Sequence, residues 1–103
     1  MAVYQNVVAL SNVTPTLIDQ NVSTVDPVTG EKTYAWTTGQ FSIQNLDNLA
    51  NVFVGTSDVS TTNFGLRIAP GAIAAFDNLN AATKLYAVSS TNGSQVAVLA
   101  IEA

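Results

Sequence analysis

The sequence contains neither cysteine nor histidine. Without cysteine the chain has no disulfide, no thiolate nucleophile and no zinc-thiolate site. Without histidine it lacks the commonest general base near neutral pH and the commonest nitrogen ligand of metal sites. The stretch VGTSDVSTTNFG has neither the Walker spacing with its lysine nor a G-x-G-x-x-G fingerprint. We therefore expect a protein that is not an enzyme, with no catalytic residues, no metal site and no cofactor.

Charge is also scarce, at 10% of residues, and the net charge is −4. The basic residues Lys32, Arg67 and Lys84 are scattered along the chain. Binding to nucleic acid or to an anionic membrane depends on clustered basic side chains, so we expect neither partner.

Long apolar runs are missing as well. No run approaches the roughly 20 residues of a transmembrane helix. The first residues, MAVYQNVVALSNVT, lack the basic start and long apolar centre of a signal peptide. The sequence predicts a soluble chain that is not secreted by the standard route.

What the chain has instead is 48% hydrophobic residues together with abundant Asn, Thr, Ser and Gln. Ordinary soluble domains carry about 25% charged residues. Uncharged polar side chains suit a surface that meets another surface, so this composition is typical of a chain buried in an assembly. The length of 103 residues fits one domain, and we expect residues 1–103 to form it.

Short runs rich in Val, Ile, Thr, Phe and Tyr alternate with turn residues at regular intervals. This pattern is typical of an all-β sandwich or barrel of about eight to ten short antiparallel strands. The predicted strands are 2–10, 15–19, 21–26, 32–37, 40–46, 51–55, 65–69, 72–77, 84–89 and 95–102.

Two turns have a clear physical basis in the sequence. In DPVTGE, Pro27 presets φ and Gly30 can adopt a positive φ, which predicts a hairpin arm at about 21–38. In APGA, Pro70 and Gly71 fit the central positions of a type II turn.

Two segments leave alternatives open. From Ala72, the sequence AIAAFDNLNAATKL spaces Ile73, Phe76 and Leu79 three apart, so local signals favour helix and strand equally. The strand 95–102 is apolar on both faces, which predicts either a central strand or a strand covered by a partner chain.

The loop between Gly55 and Gly65 could be a reactive site or a connection. We interpret it as a connection, in which Gly55 ends a strand at an unusual φ and Gly65 admits the next strand. Asp58 and the Ser and Thr hydroxyls would satisfy loop amides. A pair of carboxylates could still support glycoside hydrolysis. However, most of the acidic residues lie in predicted turns, where we expect their carboxylates to hydrogen-bond nearby backbone N–H groups. The seven are Asp19, Asp26, Glu31, Asp47, Asp58, Asp77 and Glu102.

Three aromatic residues are candidates for contact with a neighbour. Tyr34 and Trp36 lie on one face of a predicted strand, where they either enter the core or anchor the hairpin arm in another subunit. Phe64 is an apolar residue in a loop that does not need one. Trp36, Tyr34 and Tyr86 could alternatively be stacking platforms of a carbohydrate-binding module.

From Phe41 onward, a set of short motifs covers roughly the last sixty residues: Ile43 to Asn45, Asn51 to Val59, Asn63 to Gly65, Pro70-Gly71, Leu85 to Ala87 and Val96 to Leu99. In these motifs the sequence resembles small β-rich virion proteins of tailed bacteriophages. The sequence departs from the pattern at Phe64 and in the hairpin around DPVTGE.

The resemblance implies a β-sandwich or jelly-roll-like module and favours strand for residues 72–77, with NLNAAT as a turn. It implies a virion protein assembled in the bacterial host cytoplasm. Its expected role is a capsid decoration or cement protein, expected as a homotrimer, that binds the major capsid protein. A tail, neck, baseplate or fibre component is the alternative.

Overall fold

A computed structural model describes residues 3–18, 22–25, 27–30, 32–34, 38–80 and 83–102. These residues form ten strands and no helix. The strands are β1 (Val3–Ala9), β2 (Thr16–Ile18), β3 (Val22–Val25), β4 (Lys32–Tyr34), β5 (Thr38–Asn45), β6 (Val52–Gly55), β7 (Leu66–Ile68), β8 (Ile73–Asn80), β9 (Leu85–Ser89) and β10 (Gln95–Glu102).

Eight of these strands build two antiparallel four-stranded sheets. Sheet A has the order β1-β10-β5-β8, and sheet B has the order β2-β9-β6-β7. Apart from the β6–β7 pair, each strand of the sandwich is followed in the chain by a strand of the other sheet. With the β3–β4 hairpin set aside, this is the strand order of a jelly roll. The all-β sandwich predicted from the sequence is confirmed.

The core lies between the two sheets and follows from the alternation of side chains along each strand. Its largest fully buried side chains include Phe41 and Ile43 of β5, with Ile18 of β2 facing them from sheet B. The Phe41 ring stacks on that of Phe76 of β8, with ring centroids 6.2 Å apart. Apolar residues at every second position thus supply one apolar face per sheet, and these two faces pack together.

Both predicted turns are present. Val22 to Val25 pair with Lys32 to Tyr34 as an antiparallel hairpin, and Gly30 has φ of 75°. Gly71 also has φ of 75°, and the Ala72 N–H donates to the Ala69 carbonyl at 3.0 Å, as in a type II turn. The hairpin is a separate two-stranded sheet inserted between β2 and β5.

The ambiguous segment after Ala72 is a strand. Its residues pair with β5 through Gln44↔Ile73, Ile43↔Ala74 and Phe41↔Phe76. Tertiary pairing therefore overrides the helical propensity of the alanines. The turn predicted at NLNAAT was placed too early. It was expected to start at Asn78, but β8 continues through Asn78 to Asn80. The ladder with β5 extends to Thr38↔Asn80 and holds these residues extended.

Candidate binding surface

One end of the sandwich carries a buried polar network that is structural. Asn45 is fully buried, and its side-chain amide donates to the carbonyls of Ala50 at 2.8 Å and Ile68 at 3.1 Å. Its side-chain oxygen accepts from the Asp47 N–H at 3.0 Å. Asn45 thus fixes the β5–β6 loop against β7, and all its polar atoms are occupied.

Asp47 stabilises the same β5–β6 loop through hydrogen bonds to its carboxylate. Its carboxylate accepts from the N–H groups of Leu49 at 2.8 Å and Ala50 at 2.9 Å, and from the Ser94 hydroxyl at 2.8 Å. These bonds, that of Ala50 first, lower the pKa of Asp47 below its ordinary value. Asp47 therefore has the turn-bracing role expected of the acidic residues, and its carboxylate is engaged.

The Gly55–Gly65 loop is a connection held by backbone and hydroxyl hydrogen bonds. The Val59 N–H donates to the Thr56 carbonyl at 3.0 Å and the Ser60 N–H to the Asn63 carbonyl at 2.8 Å. The Ser60 hydroxyl accepts from the N–H groups of Thr62 and Asn63, and the Thr56 hydroxyl accepts from the Asp58 N–H at 3.3 Å. For the Asp58 carboxylate, no hydrogen bond is seen within the described part of the chain. The hydroxyls alone therefore have the expected role in the loop.

The expected unusual φ at Gly55 is wrong, since the described glycines with positive φ are Gly30, Gly71 and Gly93. Gly55 instead lies in a packed position, where an added Cβ would be in ordinary van der Waals contact with the loop. A Cβ there would lie 3.4 Å from the Gly65 nitrogen and 3.4 Å from a Val59 methyl. At Gly65 the chain returns to β6, and the Gly65 N–H donates to the Val54 carbonyl at 3.0 Å.

Phe64 packs within its own chain. Its ring centroid lies 4.7 Å from that of Phe53, and the side chain is 44% exposed. Phe53, Val59 and Val88 form a second apolar cluster, with Tyr86 packed against it. We call this outer side of sheet B the covered face, because residues 56–64 cover it.

The outer side of sheet A has no such cover among the described residues, and we call it the open face. Neighbouring strands align its residues in rows, Val7–Ala97–Gln44–Ile73 and Gln5–Leu99–Ser42–Ala75. Its members are Val3, Gln5, Val7, Ala9, Gln40, Ser42, Gln44, Ile73, Ala75, Asp77, Gln95, Ala97, Leu99 and Ile101.

The open face is apolar and amide-bearing, with almost no charge. Val3, Val7, Ile73 and Leu99 are 59%, 54%, 63% and 41% exposed. Of the described residues on this face, only Asp77 is charged, at the β8 edge. Small residues at the centre leave an open depression of about 550 Å³, bordered by Val7 and Ile73.

The other two aromatic candidates cannot be placed on either face. Tyr34 ends β4, where only its backbone is described, and Trp36 lies outside the described residues. The open face was not expected from the sequence. Its one sequence signal was that residues 95–102 are apolar on both sides of the strand. β10 is central, its Val96, Val98 and Ala100 are buried, and Leu99 opposite is exposed.

The described residues contain no group of three or more acidic side chains placed to hold a metal ion. They also contain no helix long and apolar enough to cross a membrane. In comparisons with protein-family models, curated proteins and solved structures, nothing matches this chain.

Proposed function

We propose that the protein is a structural component of a tailed-bacteriophage particle, and specifically a capsid decoration or cement protein. The open face would bind the major capsid protein. The observation that carries the proposal is the exposure of Val3, Val7, Ile73 and Leu99 on a sheet face where Asp77 alone is charged.

This face is suited to binding without chemistry. Burying the four exposed side chains would remove apolar surface from water, at about 25 cal/mol per Å². Gln5, Gln40, Gln44 and Ser42 would supply hydrogen bonds to a partner. Near-neutrality avoids the cost of desolvating charged groups. A decoration protein of this kind stabilises a shell by bridging its subunits, with no reaction step.

Two further observations support the proposal. The jelly roll is an architecture of viral capsid proteins, although it also occurs in lectins and cupins, so fold alone gives weak support. The sequence resemblance to phage virion proteins adds the biological setting, a particle assembled in the host cytoplasm. Self-association belongs to the same proposal.

The carbohydrate-binding alternative rests on Trp36, Tyr34 and Tyr86, and of these only Tyr86 has a described side chain, which packs against the second cluster on the covered face. Phe41 is buried, Tyr4 and Phe76 pack against the core, and Phe53 and Phe64 pack together on the covered face. Among the described residues, the open face therefore has no aromatic platform for a sugar ring.

The test is to purify particles, count copies of the protein by calibrated gel, and image particles that carry a labelled chain. Several hundred copies with label over the head would support the decoration role. A few dozen copies or fewer, with label at the tail, neck or baseplate, would replace it with the alternative virion role. Absence from purified particles would refute the proposal.

A further inference from the structure

The two sheets have four edge strands, and three of them carry protection against pairing with another chain. β2 and β7 are three residues long. Pro15 precedes β2, and β7 contains the exposed Arg67. β8 is longer but has a register shift between Gly39 and Phe41 of its partner, and it carries Asp77. Short length, charge and bulges are the devices by which natural edges avoid association.

β1 has none of these devices. Its seven residues, VYQNVVA, contain no charge, proline or glycine. They pair in unbroken register with β10, from Val3↔Ile101 to Ala9↔Gln95. Among the described residues β1 pairs with β10 alone, so its other side is a long and regular edge.

The hydrogen bonds identify which backbone groups this edge presents. The Leu10 N–H donates to the Ser94 carbonyl at 2.8 Å, and the Leu10 carbonyl accepts from the Gly93 N–H at 2.9 Å. Because the direction alternates along a strand, Tyr4, Asn6 and Val8 also face β10. The backbone groups of Val3, Gln5, Val7 and Ala9 therefore point outward.

We propose that this edge pairs with β1 of a second copy of the chain. In an antiparallel pair with the two-fold axis at Asn6, Val3 pairs with Ala9 and Gln5 with Val7 of the other copy. All outward groups are then matched, giving about eight backbone hydrogen bonds. Shifting the register by two residues leaves some of them unmatched. In the free chain the Val7 N–H donates to Asn6 Oδ1 at 2.9 Å. Pairing replaces this bond with one to the backbone of the second copy.

A second copy fits this edge for two reasons. First, one strand supplies both partners of a symmetric interface, as a two-fold dimer requires. Second, each chain carries a net charge of −4, so two copies repel least where neither has a charge, and β1 has none. The product is a continuous eight-stranded sheet on which two open faces lie side by side. The inference goes beyond the proposed capsid role and does not depend on it, and it gives a two-fold dimer in place of the expected trimer.

The first test is sedimentation equilibrium of the purified chain over a range of concentrations. We expect a species of twice the 10.7 kDa chain mass. Gln5→Pro removes an outward N–H and leaves the pairing with β10 in place. It should raise the dimer dissociation constant at least about tenfold, since each dimer loses two hydrogen bonds. Gln5→Ala keeps the N–H and should leave the constant within about threefold of the original.

The Gln44→Glu variant distinguishes a dimer formed by edge pairing from a dimer in which two open faces stack on each other. Gln44 lies on the open face but in β5, two strands from the edge, so edge pairing predicts an unchanged dimer. A monomer at every concentration would overturn the proposal. So would a trimer, or a dimer that Gln44→Glu abolishes and Gln5→Pro leaves intact.

Amide hydrogen exchange on the unmodified chain tests the same edge without any substitution. The Val3, Gln5 and Ala9 amides should exchange slowly in the dimer and at least about tenfold faster on dilution to monomer. The Tyr4, Asn6 and Val8 amides should stay protected in both states. Equal exchange of the outward amides at both concentrations would refute the edge pairing even if a dimer forms.

Discussion

The two outer faces of the sandwich are built by the same alternation of side chains, but one is covered and the other is exposed to solvent. On sheet B, Phe53 is 7% exposed beneath Val59 and Phe64, although it points away from the main core. On sheet A, Leu99 occupies an equivalent outward position in a central strand and is 41% exposed. The difference arises from the loop of residues 56–64, which returns over sheet B.

This contrast shows that an apolar residue on an outer face has no fixed role. A loop of its own chain makes such a residue part of a second core, and the absence of that loop leaves it available to a partner. Substitutions on the two faces should therefore act on different properties. Those on the covered face should change stability, and those on the open face should change association.

The largest effect is expected from Phe53→Ala. Removing a buried ring leaves a cavity and should lower the free energy of unfolding by about 3–4 kcal/mol. Leu99→Ala on the open face should cost within about 1 kcal/mol, because that side chain already contacts water. Urea denaturation of both variants measures the difference, and equal losses would contradict the distinction between the two faces.

The next effect concerns binding. Leu99→Lys places a charge in the open face and should weaken binding to purified capsids at least about tenfold, or 1.4 kcal/mol, while the melting temperature stays nearly unchanged. Leu49→Lys is the matched control, since Leu49 is 86% exposed in a loop away from this face. Equal binding by the two variants in a co-sedimentation assay would exclude the open face as the docking surface.

A smaller effect on stability is expected from Phe64→Ala. The variant loses the ring contact with Phe53, a pair worth about 1 kcal/mol, and uncovers part of the second cluster. Phe64→Tyr keeps the ring and should retain most of the stability. Thermal denaturation checks both variants. If Phe64→Ala weakened capsid binding and left stability unchanged, Phe64 would be the contact residue that its loop position first suggested.

The smallest effect concerns Asp47, in the loop that joins sheet A to sheet B. Its pKa is lower in the folded chain than in the unfolded chain. The stabilisation is therefore complete above the unfolded pKa, near 4, and is lost as the pH falls through the folded pKa. Asp47→Asn should be less stable at pH 6 and show a shallower loss of stability below pH 4. Parallel pH profiles of the two proteins by urea denaturation would contradict this.

The strands were predictable because their signals are local. Turn residues such as Pro27 and Pro70 separate runs of β-formers, and all ten predicted strands are present with shifted ends. Residues 72–79 were ambiguous because alanine favours a helix, and only pairing with β5 decides between the two. The end of β8 at Asn80 depends on that same ladder, which the sequence does not reveal.

The open face was less predictable because β10 is apolar on both faces, with Val and Ala on one and Ala, Leu and Ile on the other. A period of two separates the faces but does not say which one enters the core. That depends on whether a loop covers the outer side. Phe64 shows the same limit, since an aromatic residue in a loop could contact a neighbour or fold back, and Phe53 lies too far away in sequence to indicate which.

The position of β10 also bears on how the chain reaches its fold during synthesis. β10 lies between β1 and β5 in space but follows both in the chain. Until the ribosome has released it, sheet A has a gap at its centre, with β1 unable to pair at all. Closing the gap joins residues as distant in sequence as Val3 and Ile101, a contact order typical of slow folding. We therefore expect sheet A to form only after β10 has left the ribosome, and chaperones that bind exposed strands to meet this chain before that stage.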